Sequence, residues 1–497
     1  MSCNQEDADG ATHSTVRQRA GLFIGPALLL LLWAIPMPGL KPEAHRLAGI
    51  MALVVVFWVT EAIPLAATAL LVPVLSILCG VAADKKVFAP FASPITFLFI
   101  GSFMLAEAMQ KYGLERRLAL RLLSVPALGC TPGRLFATLG ILTAGLSMWM
   151  SNSATTAMML PIALAAARTW SGFDSQPGAR ASLVLLIAFA ASIGGQGTPV
   201  GTPPNLIGLG AINAMLGIRI SFFEWMLFGV PLAVVQMAFL LWLLRPDPGG
   251  KRERAPAHMD LVSKRRALGA MSPGEKVTVG VFALTVTLWI VPGLIALFTG
   301  SDSGASKLLR AHVPEETVGL LSGVLLLITP VSWREGKFAL TWREAAGIDW
   351  GTILIFGGGM ALGTLLFDTG LAEAAGRGVI AAFGQPSLWT LTAVGIVLSI
   401  AMSEAASNTA SATVMVPSMI AIAKAAEVNP VPVALATCLA CSFGFLLPVS
   451  TPPNALAYAT GQVTINQMIR RGAVLDVVGA ITIFIIIRIA APLMGWT

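Results

Sequence analysis

Two short polar patterns, each occurring twice, hold the chemistry this sequence can perform. One is Ser151-Asn152-Ser153, matched by Ser407-Asn408-Thr409. The other is Thr202-Pro203-Pro204-Asn205, matched by Thr451-Pro452-Pro453-Asn454. Ser and Thr hydroxyls and the Asn amide both donate and accept hydrogen bonds. Paired prolines remove backbone donors and break a helix. A helix that starts at such a break presents unpaired N–H groups and roughly half a positive charge, which favours an anion. Hydroxyl oxygens and carbonyls freed at the Gly201 and Ser450 breaks are also hard ligands for a small cation. One site can therefore hold an oxyanion beside alkali cations.

The elements that must position these residues are set by composition. The chain has 497 residues, 56% hydrophobic and 11% charged, with mean hydropathy +0.80. A soluble domain carries about 25% charged residues. So little charge cannot clothe a water-facing surface, and lipid is the expected solvent. Apolar runs suited to spanning helices are separated by polar loops, and the short alternating segments of a membrane β-barrel are missing. The run from Gly21 to Pro36 lacks a convincing cleavage site and reads as a retained first helix. Several runs are too long for one span. Segments 133–168 and 388–425 carry the Ser-Asn motifs near their middles, and 181–216 and 430–460 are interrupted by the Pro-Pro-Asn motifs. Bare backbone at membrane depth survives only against protein or a water-filled cavity, so four matched breaks point to a binding site.

The halves of the chain repeat. Thr96-Phe-Leu-Phe-Ile-Gly101 resembles Thr352-Ile-Leu-Ile-Phe-Gly357, and the two polar patterns follow in the same order in each half. Any one element alone reads as close packing or a kink. Packing does not require the same break twice at matched positions. With 133–168 and 388–425 as re-entrant hairpins and a cytoplasmic tail, most Lys and Arg fall on the inward side, richest in the loop Arg245–Lys276. Each repeat then makes an odd number of crossings, so the copies are inverted. The net charge of +7 is a topology signal and gives no support for nucleic-acid binding.

No Lys or Arg lies between Arg134 and Arg168 or between Arg377 and Lys424. A dianion at mid-membrane then depends on helix termini and co-bound cations, which favours cation symport. Sodium is favoured over protons because oxygen ligands are abundant and titratable groups scarce. The four histidines (His13, His45, His258, His312) fall in the tail or loops. Glu61 reads as a cap or salt bridge at the cytoplasmic edge, and Glu107 as the partner of Lys111 four residues on. Glu404, three residues before Ser407, reads as a buried hydrogen-bonded structural carboxylate, with tuning of a cation site or uptake of a proton as its second reading. Gly357-Gly358-Gly359 reads as helix packing, and Cys438 and Cys441 as small packing residues rather than metal ligands. No nucleophile–base pairing suggests an enzyme.

The pattern resembles the divalent anion:sodium symporter family over nearly the whole chain, through the two Ser-Asn motifs and the two Pro-Pro-Asn breaks. The resemblance implies an all-α polytopic homodimer with about eleven transmembrane helices and two opposed re-entrant hairpins per protomer. It also implies a transport domain that moves as an elevator against a scaffold. On that basis residues 1–20 are a cytoplasmic tail, 21–132 and 277–387 the scaffold, and 245–276 a basic cytoplasmic loop. The transport domain is 133–244 with hairpin 133–168, and 388–497 with hairpin 388–425. By motif, a first sodium site takes Ser147, Ser151, Asn152 and the Gly201 carbonyl. A second takes Ser403, the Ala406 carbonyl, Asn408 and Ser450. Substrate carboxylates meet Asn152, Ser153 and Thr202 on one side and Asn408, Thr409 and Thr451 on the other. Ser153 departs from the threonine usual in the family, losing a methyl where substrate size and selectivity are set. The expectation is sodium-coupled uptake of a small dianion, a C4-dicarboxylate such as succinate, malate or fumarate, across a bacterial inner membrane. Sulfate symport, dicarboxylate exchange and an anion channel are the alternatives.

Overall fold

The computed structural model describes residues 15–125, 131–167, 178–245, 257–300 and 302–496. His13, Arg168 and residues 246–256 of the basic loop lie outside them. Among the described residues the regular structure is helical except for one two-stranded antiparallel hairpin, β1 (Pro330–Ser332) with β2 (Lys337–Phe338).

The first half begins with α1 (Val16–Ala34), α2 (Pro42–Thr60), α3 (Leu65–Leu78) and α4 (Asp84–Phe88). Then come α5 (Pro94–Lys111), α6 (Leu114–Leu123), α7 (Pro132–Ser147) and α8 (Asn152–Ala167), followed by α9 (Ala179–Gly195), α10 (Pro203–Leu216) and α11 (Phe222–Leu243). A basic helix, α12 (Ala257–Ala267), leads to α13 (Pro273–Thr299), α14 (Gly304–His312), α15 (Glu315–Ile328) and the short α16 (Trp342–Ala345). The second half continues as α17 (Trp350–Asp368), α18 (Leu371–Phe383), α19 (Leu388–Ala405), α20 (Asn408–Ala425), α21 (Pro430–Ala440), α22 (Pro452–Ala459) and α23 (Ile465–Leu493).

Eight helices among the described residues are long and apolar enough to cross a membrane alone, against the eleven spans expected. The difference lies in helices too short to cross by themselves, notably α9 and α21, which stop at the sequence breaks and are continued by α10 and α22. Both are buried along their whole length except at the first turn, as helices must be when ladder-free backbone follows them. By contrast only 17% of the apolar window of α13 is buried, leaving Leu297 and Phe298 facing outward as lipid contacts.

Close packing explains the triple glycine of α17. A Cβ on Gly357 would meet the Phe91 ring, one on Gly358 the Ala69 carbonyl at 2.6 Å, and one on Gly359 the Thr413 methyl at 1.8 Å. Thr413 lies on α20, so Gly359 is what lets α17 approach the second hairpin, while Gly357 and Gly358 admit Phe91 and α3. One expected pairing fails. Lys111 does not need Glu107 as its partner: its Nζ binds Glu344 Oε2 at 2.7 Å and the Ala339 carbonyl at 3.1 Å. The tertiary partner wins because α5 ends at Lys111, whose side chain reaches the loop after β2. Glu61 is exposed and caps α2 through its backbone, in a left-handed conformation with φ 51°. Replacing Gly359 by Leu should lower stability by about 1–3 kcal/mol through overpacking against α20. Thermal unfolding in detergent measures this, and unchanged stability would refute the contact.

Candidate functional site

Each Ser-Asn motif lies where one helix ends and the next begins. α7 stops at Ser147 and α8 starts at Asn152, while α19 stops at Ala405 and α20 starts at Asn408. The Pro-Pro motifs start two more helices, with Pro203 and Pro452 as first helical residues, where their missing N–H costs nothing. Thr202 and Thr451 precede them in the same extended conformation, φ −148° and −143°. Four helix N-termini therefore stand at the four breaks.

The two copies share two sets of bonds. Ser147 Oγ donates to Asn152 Oδ1 at 2.7 Å, and Ser403 Oγ lies at the same distance from Asn408 Oδ1. The Asn205 amide donates to the carbonyls of Gly195 and Thr198 at 2.9 and 2.8 Å. The Asn454 amide donates to those of Gly444 and Leu447 at 2.8 and 3.0 Å. Each asparagine thus reaches back ten and seven residues and satisfies two carbonyls that the break strips of helical donors. The Oδ1 atoms of Asn205 and Asn454 are buried with no protein partner.

Each tip sits against its break. A Cβ on Gly195 would lie 2.5 Å from Asn152 Oδ1 and 3.1 Å from the Gly201 carbonyl oxygen. One on Gly444 would lie 3.3 Å from Asn408 Oδ1 and from Ser450 Cβ, and 3.1 Å from the Thr451 methyl. Ser147, Asn152 and Gly201 thus come together in the first repeat, and Ser403, Asn408, Ser450 and Thr451 in the second. Ser151 is exposed, its hydroxyl accepting from the Ala154 N–H at 3.1 Å as a helix cap. Ala406 is buried in extended conformation, φ −141°, directly before the second tip. Ser153 and Thr409 are half-buried in the first turns of α8 and α20. The contacts above unite each set within its own repeat. The repeats meet through their half-helices: α10 packs on α20, and α22 packs on α8 and α9. The Cys438 thiol donates to the Pro204 carbonyl at 3.0 Å and seals the join.

Several functional neighbours were not legible in sequence. Arg17, on α1, donates to the carbonyls of Val59 and Ala405, so a guanidinium does approach the second tip, from 388 residues away. Gln196 is fully buried beside the first break, and neither end of its side-chain amide has a protein partner. Glu404 is buried and hydrogen-bonded as expected: Oε1 accepts from the Leu446 N–H at 2.9 Å and Oε2 from Ser450 Oγ at 2.7 Å. Asp476 was passed over, although an isolated acid in the apolar run of α23 was signal enough.

Residues 17–496, all but the ends of the chain, match the sodium:sulfate symporter transmembrane region. The chain belongs to that family. It is 32% identical to the sodium-dependent dicarboxylate transporter SdcS of Staphylococcus saprophyticus over 489 residues, which cover 96% of this chain and 92% of that protein. It is 30% identical to an uncharacterised transporter of Haemophilus influenzae, covering 93% and 95% of the two chains. Among solved structures it shares its fold with the YdaH transporter of Alcanivorax borkumensis, with TM-score 0.56 at 13% identity over 92% of this chain and 99% of that one. MtrF of Neisseria gonorrhoeae is also similar, with TM-score 0.54 at 12% identity over 95% and 96% of the two chains. The family member is thus an integral membrane transporter and not an enzyme, with sodium as its co-transported ion.

Asn205→Ala or Asn454→Ala should each cost about 1–3 kcal/mol, because two carbonyls lose the asparagine amide at once. Thermal unfolding of the purified variants is the check, with Asn213→Ala, outside the breaks, as the neutral comparison.

Proposed function

We propose that this protein is a sodium-coupled symporter of a small dianion, most specifically a C4-dicarboxylate such as succinate, malate or fumarate. The observation that carries the reading is the twofold construction of the site: a Ser-Asn tip against a Pro-Pro-Asn break in each repeat. Membership of a sodium:sulfate symporter family, together with relatives named as sodium-dependent dicarboxylate transporters, narrows the substrate to divalent anions.

In this reading one sodium binds at Ser147, Ser151, Asn152 and the Gly201 carbonyl. Another binds at Ser403, the Ala406 carbonyl, Asn408 and Ser450. The Ser147–Asn152 and Ser403–Asn408 bonds hold the amide oxygens toward the breaks, so the oxygens that would ligate a cation are gathered before it arrives. The substrate carboxylates take the hydroxyls of Ser153, Thr202, Thr409 and Thr451, the amides of Asn152 and Asn408, and the positive ends of the four helices. Two cations beside a dianion leave a nearly neutral load, which lowers the cost of carrying it through lipid.

Scaffold helices from 21–132 and 277–387 flank the transport domain, 133–244 and 388–497, which moves as an elevator in a homodimer. The N-terminus and the basic stretch 245–276 face the cytoplasm on the positive-inside rule, in a bacterial inner membrane.

Purified protein in liposomes should accumulate succinate under an inward sodium gradient and not under a choline gradient. Asn152→Ala and Asn408→Ala should each lower uptake at least about ten-fold, the effect of removing one charge-facing amide worth about 1.4 kcal/mol or more. Uptake of sulfate with no dicarboxylate would overturn the substrate assignment. Sodium-independent counterflow would make the protein an exchanger, and currents far above carrier turnover would make it a channel.

A further inference from the structure

The two repeats share the Ser–Asn and Asn–carbonyl bonds around their tips but differ in what stands beside them. Three residues before the tip serine, the first repeat has Met148 and the second has Glu404. The helix that backs each break differs likewise. A Cβ on Gly229 of α11 would touch the Gln196 carbonyl, and one on Gly472 of α23 the Phe445 carbonyl, and these carbonyls occupy equivalent positions just after Gly195 and Gly444. Four residues further on stand Ala233 in the first repeat and Asp476 in the second. An apolar pair in one copy is therefore a pair of acids in the other.

The acids are neighbours, and no basic side chain among the described residues pairs with them. Glu404 and Asp476 are 8% and 7% exposed, with their carboxyls within reach of each other. Glu404 is supplied with donors by Leu446 and Ser450. Asp476 is not: the Phe445 backbone approaches it, yet neither carboxylate oxygen accepts a hydrogen bond of normal geometry. Neither acid forms an ion pair among the described residues, and Arg17, which reaches the second tip, donates to backbone carbonyls. Two adjacent carboxylates in a membrane interior are unstable without a counter-charge, and Asp476 offers two free oxygens to one.

Building on the sodium-symport reading, we propose that Glu404 and Asp476 form a third sodium site, found only in the second repeat and separate from the two tip sites. Carboxylate oxygens suit a hard cation as well as carbonyls and hydroxyls do. Ser450 joins this site to the second tip, since its hydroxyl donates to Glu404 Oε2 while Ser450 itself belongs to the tip's ligand set. An ion that draws Glu404 toward Asp476 alters the bond that positions Ser450, so the two sites load in a coupled way. The first repeat, with Met148 and Ala233, has no such coupling.

The test counts radioactive sodium bound at saturation, without substrate, by the purified full-length transporter at pH 8. Wild type should bind three ions per protomer, and Asp476→Asn and Glu404→Gln should each bind two. Asn152→Ala and Asn408→Ala should each lose one ion of a different site, so loss in these with no loss in the acid variants separates the tip reading from this one. An unchanged count in a folded Asp476→Asn protein overturns the third site. If neither acid variant folds, the wild-type count decides: three ions support the proposal, and two overturn it, assigning the counter-charge to a shared proton.

Discussion

The structure depends on one constraint: backbone that leaves its helix at membrane depth must find new partners inside the protein. Water is not there to supply them, and each unsatisfied group costs several kcal/mol in hydrocarbon. At both Pro-Pro breaks the solution is one asparagine side chain that donates to two carbonyls, ten and seven residues back. Around that bond the chain keeps other carbonyls and hydroxyls available at the tips. Structural satisfaction falls to Asn205 and Asn454, while in the proposed function ligand binding falls to Asn152 and Asn408.

Duplication shapes how the site meets its load. Each tip is held to its own break, while the half-helix from one repeat packs on the hairpin of the other. The two copies are therefore joined through α10 and α20, and through α22 and α8. Buried α9 and α21 lead into the breaks, and Phe189 of α9 makes an edge contact with Phe445 of the second break at 4.9 Å. Gly359 of α17 lets that helix lie hard against the second hairpin, at Thr413 of α20.

Much of this was legible in the sequence because the signals are local. Proline pairs, the Ser-Asn tips and their ordered recurrence mark the helix ends, and Asn152 and Asn408 stand at the starts of α8 and α20. The triple glycine gave packing because close approach is a property of the residue itself. What escaped depends on partners distant in the chain. Lys111 had an acid four residues earlier but took Glu344, 233 residues on, and Arg17 reaches Ala405 across most of the chain. Asp476 was missed for another reason: a single polar residue in a long apolar helix acquires meaning only when Glu404 is found beside it.

The central claim is that cations complete a site whose own residues cannot neutralise a dianion. The most direct measurement is equilibrium binding of succinate to the purified protein in detergent, titrated with sodium at constant ionic strength set by choline. The account predicts no measurable succinate binding in choline, affinity that rises with sodium, and a reciprocal gain in sodium affinity when succinate is present. Equal succinate affinity with and without sodium would contradict it.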